Sequence, residues 1–170
     1  MRRTERDGPF TEFVVTASPR LQRTAYLMCG DRHRAEDVVQ TALAKLYVAW
    51  DRVESSGTEF AYARQIVVRA CIDEARRPWF RREVTTGRDP AEAQAPPEFS
   101  HVETPVLEAL RQLPPGQRAA VVLRYWNDLS VEESAQVMGC SRSTVKTQAS
   151  RGLDQLREAL TAPDHDRSTR

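Results

Sequence analysis

The sequence predicts an all-α protein made of two small helical domains joined by a flexible acidic linker. Apolar residues recur at three- and four-residue steps through most of the chain, alternating runs of strand type are nearly absent, and the helical pattern lapses once, between about residues 83 and 103, before resuming. A length of 170 residues suits one ordinary domain or two small ones. An apolar share of 40% beside 29% charged residues describes a globular chain with a solvated surface. No window holds the ~20 apolar residues that a membrane span needs. The stretch from Met1 to Gly8 is charged and lacks the apolar centre of a secretory signal.

The first domain is expected over residues 8–82. Phe10, Phe13, Val14, Ala17, Leu21, Ala25 and Met28 step along one helical face. Pro19 lacks an N–H and is expected to split this segment into a short helix and a second one starting near Ser18, with Gly30 as its stop. Ala35, Val38, Val39, Ala42, Leu43, Leu46 and Trp50 mark a long amphipathic helix. Phe60, Ala63, Ile66, Val67, Ala70 and Cys71 mark another, which continues to Ala75 and ends before Pro78. Residues 83–103 are rich in Thr, Gly, Pro, Ala and acids, which cannot bury enough apolar surface to offset ordering entropy and read as a linker. The second domain is expected over residues 104–161, followed by a frayed tail over 162–170. Its apolar sets are Val106, Leu107, Leu110 and Leu113, then Ala120 to Tyr125, then Val131, Ala135 and Met138, then Val145, Ala149, Leu153, Leu156 and Leu160. Each domain is small for independent stability, so contacts with partners are expected to matter.

The most specific local pattern lies between Leu129 and Leu160. Ser130 followed three residues later by Glu133 is a capping box, Gly139 suits a left-handed helix stop, and Ser141 caps the next helix. Small Ala135, turning Gly139 and apolar Val145 are what two tightly crossed helices need, so the segment reads as a helix-turn-helix. The outer face of its second helix presents Ser141, Arg142, Ser143, Thr144, Lys146, Thr147, Ser150 and Arg151. Short hydroxyls and long cations are the groups that contact phosphates and base edges in a groove.

Charge is patterned although the formal net charge is only +1. Residues 141–157 carry a local balance of +3, and residues 61–82 carry +4 from Arg64, Arg69, Arg76, Arg77, Arg81 and Arg82 against Asp73 and Glu74. Trp79 and Phe80 lie among those arginines, with Phe60 and Tyr62 ahead of them, a mixture suited to an unstacked nucleic-acid strand and equally to closing a core. The segment from Glu83 to Thr104 carries −4, so an acidic tether joins two basic domains. Cys29, Cys71 and Cys140 are scattered, which argues against a disulfide framework and a zinc site and suggests small buried or half-buried thiols in a reducing cytoplasm. His33, His101 and His165 are isolated, and no nucleophile motif, phosphate-binding glycine loop or metal-ligand spacing is present. A catalytic role, a cofactor and a metal are therefore not expected.

Taken together, these motifs resemble the extracytoplasmic-function sigma factors of bacteria, the smallest of the sigma-70 type, and within them an actinobacterial sigma-E-like group. The resemblance covers about residues 8–161. Ala35-Glu36-Asp37-Val38-Val39-Gln40-Thr41 resembles the region 2.2 signature, which implies that Asp37 and Gln40 are polar anchors on the clamp helices of the polymerase β′ subunit. Ile72-Asp73-Glu74-Ala75-Arg76-Arg77 resembles region 2.4, which implies −10 promoter contacts from Arg64, Arg69, Asp73, Arg76, Arg77 and Arg81. The family's flipped-base pocket falls in the loop at about Asp51 to Glu59. Leu113-Pro114, Arg124-Tyr125, Leu129-Ser130, Glu133, Ala135, Gly139, Ser141, Thr144-Val145-Lys146, Arg151 and Leu156-Arg157 match region 4, which implies that the helix-turn-helix reads duplex DNA at −35.

Three positions depart from the family pattern. Ser134 stands where an aliphatic residue is usual, Ser143 where glycine is common, and Arg69 where asparagine is usual. The resemblance implies core RNA polymerase as partner, through the β′ clamp helices and the β flap, together with promoter DNA and an anti-sigma factor. It also implies that the acidic tether threads the path later taken by RNA, and a cytoplasmic, nucleoid-associated location. The residues alone leave open a two-domain helix-turn-helix regulator whose first domain dimerises or senses a ligand, or a structural interaction protein.

Overall fold

The structure, a computed structural model, describes residues 3–76 and 104–162. These form seven α-helices and one π-helical turn, with no strand among the described residues. In the first module α1 (Arg3–Cys29), α2 (Arg32–Glu54) and α3 (Glu59–Ala75) pack mutually. In the second, α4 (Thr104–Gln112) and α5 (Pro115–Val121) lead through the π-helical turn Val122–Trp126 to α6 (Val131–Met138) and α7 (Arg142–Thr161).

The expected break at Pro19 does not occur: α1 runs unbroken through both Pro9 and Pro19. Pro19 and Val15, whose carbonyl loses its intrahelical donor there, both lie on the exposed side, so water meets the need that a buried carbonyl could not. On the inner side Ala17, Leu21, Ala25 and Met28 form a continuous buried stripe, and that packing holds the helix across the defect. Asp31 caps α2 by accepting from the Arg34 amide at 2.9 Å. Its inward row Ala35, Val38, Val39, Ala42, Leu43, Leu46, Trp50 and Val53 is wholly buried. Because Val53 is part of that row, α2 continues to Glu54, and the loop foreseen from Asp51 to Glu59 shrinks to Ser55–Thr58.

The N-terminal end of α1 folds over the C-terminal end of α2. The rings of Phe10 and Phe13 lie 5.2 and 5.5 Å from that of Trp50, and Phe10 also meets Tyr47 edge-on at 4.9 Å. Polar contacts run alongside: the Tyr47 hydroxyl donates to Asp7 at 2.8 Å, and Arg6 pairs with Asp51.

The two modules share one apolar core, in which Leu27, Val67 and Cys71 join Leu107, Leu110, Val122 and Leu123. Beside a bond from the Thr24 hydroxyl to Asn127 Oδ1 at 3.1 Å, the arginine contacts across the boundary follow a reciprocal rule. The last turn of α1 holds no basic residue, and its closing carbonyls are capped by two arginines of the second module. Arg118 donates from Nη1 to Met28 O at 2.6 Å, and Arg111 donates to Gly30 O. Likewise the last turn of α6 holds no basic residue, and Arg69 of α3 donates to its Val137 and Gln136 carbonyls at 3.1 and 3.0 Å. A cation at a helix C-terminus meets both orphan carbonyls and the negative end of the dipole. Gly30 permits the first of these approaches: it sits at φ +68°, and a Cβ there would lie 2.6 Å from Arg111 Nε. Within the second module, α7 reaches α5 because Gly152 has no Cβ to strike Val121 Cγ2, which would be 2.8 Å away.

Candidate nucleic-acid interface

The helix-turn-helix forms as its caps require. Ser130 Oγ accepts from the Glu133 amide at 3.0 Å, and the Glu133 carboxylate accepts from the Ser130 amide at 2.7 Å. That backbone donation holds the Glu133 carboxyl below its ordinary range. Gly139 takes the left-handed conformation, φ 68° and ψ 37°, and the Cys140 amide donates back to Ala135 O at 3.1 Å. Ser141 then caps α7 by accepting from the Thr144 amide at 3.1 Å. Val145, Ala149, Gly152 and Leu156 turn inward, with Val145 fully buried.

The opposite face of α7 is open. Arg142, Lys146 and Ser150 form one row at four-residue spacing, and Ser143, Thr147 and Arg151 form the neighbouring row. All six are exposed, as are Ser141 and Thr144. The first turn of α7 contains no acid, so its free amides, its dipole and Arg142 together favour a phosphate. The eight residues expected to contact duplex DNA thus share one solvent-facing surface.

The first-module cations are placed differently. Arg76 and Asp73 are exposed at the end of α3. Arg64 is half-buried; its guanidinium lies 5.5 Å from the Phe60 ring, its Nε has no hydrogen-bond partner among the described residues, and desolvation lowers its pKa against the pull of Glu133. Arg69 is exposed, yet its Nε and Nη2 are engaged by the α6 carbonyls. Arg77, Arg81 and Arg82 lie outside the described residues, as do Trp79, Phe80 and the acidic tether. Arg20 of α1, which the pattern did not single out, stacks on Phe60 at 4.2 Å from the ring centre. Asp37 and Gln40 are both exposed at three-residue spacing on α2, while Val38 and Val39 between them are buried. The two polar groups therefore stand on a rigid outer face backed by core.

Ser134 is fully enclosed, and its hydroxyl has no partner among the described residues. Ser143 is an exposed member of the α7 face, where a side chain takes the place of the glycine common in the family.

Comparison with known proteins agrees with this geometry. Residues 13–81 match the profile of Sigma-70 region 2, and residues 104–156 match that of Sigma-70, region 4. The chain is 36% identical over 162 residues to the RNA polymerase sigma-E factor of Streptomyces coelicolor, covering 92% of this chain and 89% of that one. It is 25% identical over 168 residues to the ECF RNA polymerase sigma factor SigW of Bacillus subtilis, covering 89% and 88% respectively. The fold is similar to that of the sigma factor RpoE from Bartonella quintana, solved in complex with the anti-sigma factor NepR: the TM-score is 0.69 at 23% identity, with 91% of this chain and 98% of that one covered. A region 2 bundle and a region 4 helix-turn-helix on one chain, with relatives matching along nearly its full length, make it a member of the sigma-70 family of RNA polymerase sigma factors, in the extracytoplasmic-function class.

Proposed function

We propose that this sigma factor divides promoter recognition among three surfaces of its own chain. The exposed α7 face reads duplex DNA at −35, with Lys146 neutralising phosphate and Arg142 reaching a base edge. The end of α3, with Arg76, Asp73 and the cations that follow it, holds the opened strand at −10, joined by Arg64 and by Arg69 once the latter leaves α6. Asp37 and Gln40 anchor α2 to the polymerase clamp helices, and the second module meets the β flap. The protein acts by binding rather than by chemistry of its own, and it works in the cytoplasm on polymerase at the nucleoid. An anti-sigma protein covering these faces is in keeping with the NepR complex of the Bartonella quintana protein.

The observation that carries this reading is the two-row α7 face, all of it exposed and backed by a buried stripe. Its test is competitive binding of holoenzyme to promoter and unrelated duplexes across a salt series. Lys146→Ala is expected to weaken binding to every duplex alike and to flatten the salt slope by about one unit. Arg142→Ala is expected to lower promoter affinity roughly tenfold while barely changing affinity for unrelated DNA. Equal losses on all duplexes for both variants would refute the division of labour. In the same preparations, Asp37→Arg is expected to abolish co-purification with β′ while leaving the unfolding temperature unchanged, because the side chain is exposed and lies outside the core. Retention of β′ by that variant would remove Asp37 from the polymerase face.

A further inference from the structure

Cys29 and Cys71 are 42 positions apart in the sequence, yet the fold brings their sulfurs to 3.1 Å at hydrogen-bonding distance. Cys29 ends α1 and is half-buried, whereas Cys71 lies on α3 and is 4% exposed. Arg118, the buried strap between the modules, lies within electrostatic reach of both thiols and donates to the carbonyl of Met28, the neighbour of Cys29. Its two terminal nitrogens are taken up by backbone carbonyls, but its Nε has no partner among the described residues. A buried donor without an acceptor beside two thiols is a ready stabiliser for a thiolate.

We propose that Cys29 and Cys71 form a reversible dithiol–disulfide site that takes a peroxide as its oxidant. The asymmetry of exposure assigns the steps. The Cys29 thiolate attacks one peroxide oxygen, the O–O bond breaks, and the departing hydroxide takes a proton to leave water and a Cys29 sulfenic acid. The Cys71 sulfur then attacks the Cys29 sulfur. The S–S bond forms as the S–O bond breaks, and the released hydroxide leaves as a second water with the Cys71 proton. Two thiols lose two electrons, and one peroxide becomes two waters.

The electrostatics fit these roles. The hydrogen bond to Cys29, and after it burial, push the Cys71 thiol well above its ordinary range, so Cys71 keeps its proton until the second step, while the Arg118 charge acts on it in the opposite sense. Closing from 3.1 Å to the ~2.05 Å of a disulfide takes a movement of only about 1 Å. The bond would tie α1 to α3 around the whole of α2, the helix that carries Asp37 and Gln40. Cys140 lies on the turn of the helix-turn-helix and takes no part.

The test uses the full reduced chain exposed to hydrogen peroxide, followed by non-reducing tryptic mapping and thermal unfolding. Trypsin separates Cys29, in Thr24–Arg32, from Cys71, in Ala70–Arg76. The expected product is a monomer in which these two peptides are joined and two hydrogens lighter, with Cys140 still a free thiol. Its unfolding temperature is expected to rise by about 10 °C, and dithiothreitol to reverse the change. A Cys140→Ser chain is expected to behave identically, and a Cys29→Ser chain to keep its Cys71 thiol and show no rise. A product crosslinked through Cys140, a dimer, or a Cys29 sulfinic acid without linkage to Cys71 would overturn the proposal.

Discussion

Replacing Arg118 with alanine is expected to cost about 3 kcal/mol or more and to part the two modules. Arg118 is only 8% exposed and has no carboxylate partner among the described residues. Instead its two terminal nitrogens donate to carbonyls, Met28 O at 2.6 Å across the boundary and Arg111 O and Leu113 O at 2.7 and 3.1 Å within its own module. Alanine leaves those acceptors without their donor and opens a void beneath the α1 terminus. Burial lowers the Arg118 pKa, yet arginine remains charged at any physiological pH. The loss should therefore be nearly independent of pH between 6 and 8. Chemical unfolding gives the energy, and small-angle scattering gives the separation as an increased radius of gyration. Arg118→Lys is expected to fall between, because one ammonium cannot serve carbonyls that the planar fork reaches on two sides. An alanine variant with unchanged stability and unchanged scattering would show that the shared apolar core alone holds the modules together.

The second large effect is expected at Trp50, where truncation to alanine should cost about 3–5 kcal/mol. Trp50 is 2% exposed and its ring meets Phe10 and Phe13 of the N-terminal half of α1. Its Nε1 has no partner among the described residues, so Trp50→Phe removes an unsatisfied donor along with part of the volume and should cost far less than alanine. Trp50 also precedes the short Ser55–Thr58 loop by barely more than one turn of α2. Loosening that anchor is expected to impair promoter opening at temperatures where the variant is still folded. Permanganate reactivity of unpaired thymines at −10 measures this directly. Normal opening by a folded Trp50→Ala holoenzyme would separate the loop from its anchor.

The parts of this protein that could be read in the sequence are those governed by neighbours in the chain. The Ser130–Glu133 box, the Gly139 stop and the Ser141 cap each depend on residues within four positions, and each formed as expected. The buried row of α2 followed in the same way from helical periodicity, whereas on α3 Val68 and Ile72 are buried beside Ala63, Val67 and Cys71, and Phe60, Ile66 and Ala70 are only half-buried. Pro19 was misjudged because a local rule for proline takes no account of the apolar stripe that carries α1 past it. Arg118 lies in a run of small and apolar residues with nothing nearby to mark it as buried, and its partner Met28 O is 90 positions away. The Cys29–Cys71 contact and the Arg69 bonds to α6 also depend on which helices meet, and the spacing along one helix carries no trace of that. On the α7 face the residues were legible because exposure and charge follow a single periodicity. The residues proposed for −10 came from the charge pattern and the resemblance, and the described ones, Arg64, Arg69, Asp73 and Arg76, occupy different surroundings.

If Arg69 serves the opened strand as proposed, its tie to the end of α6 would set an order of events at a promoter. While those carbonyls keep Arg69, the α7 face already stands open to water, so an intact double helix could be inspected before the grip on an unpaired strand was complete. Letting go of α6 would then be the toll for passing from search to opening.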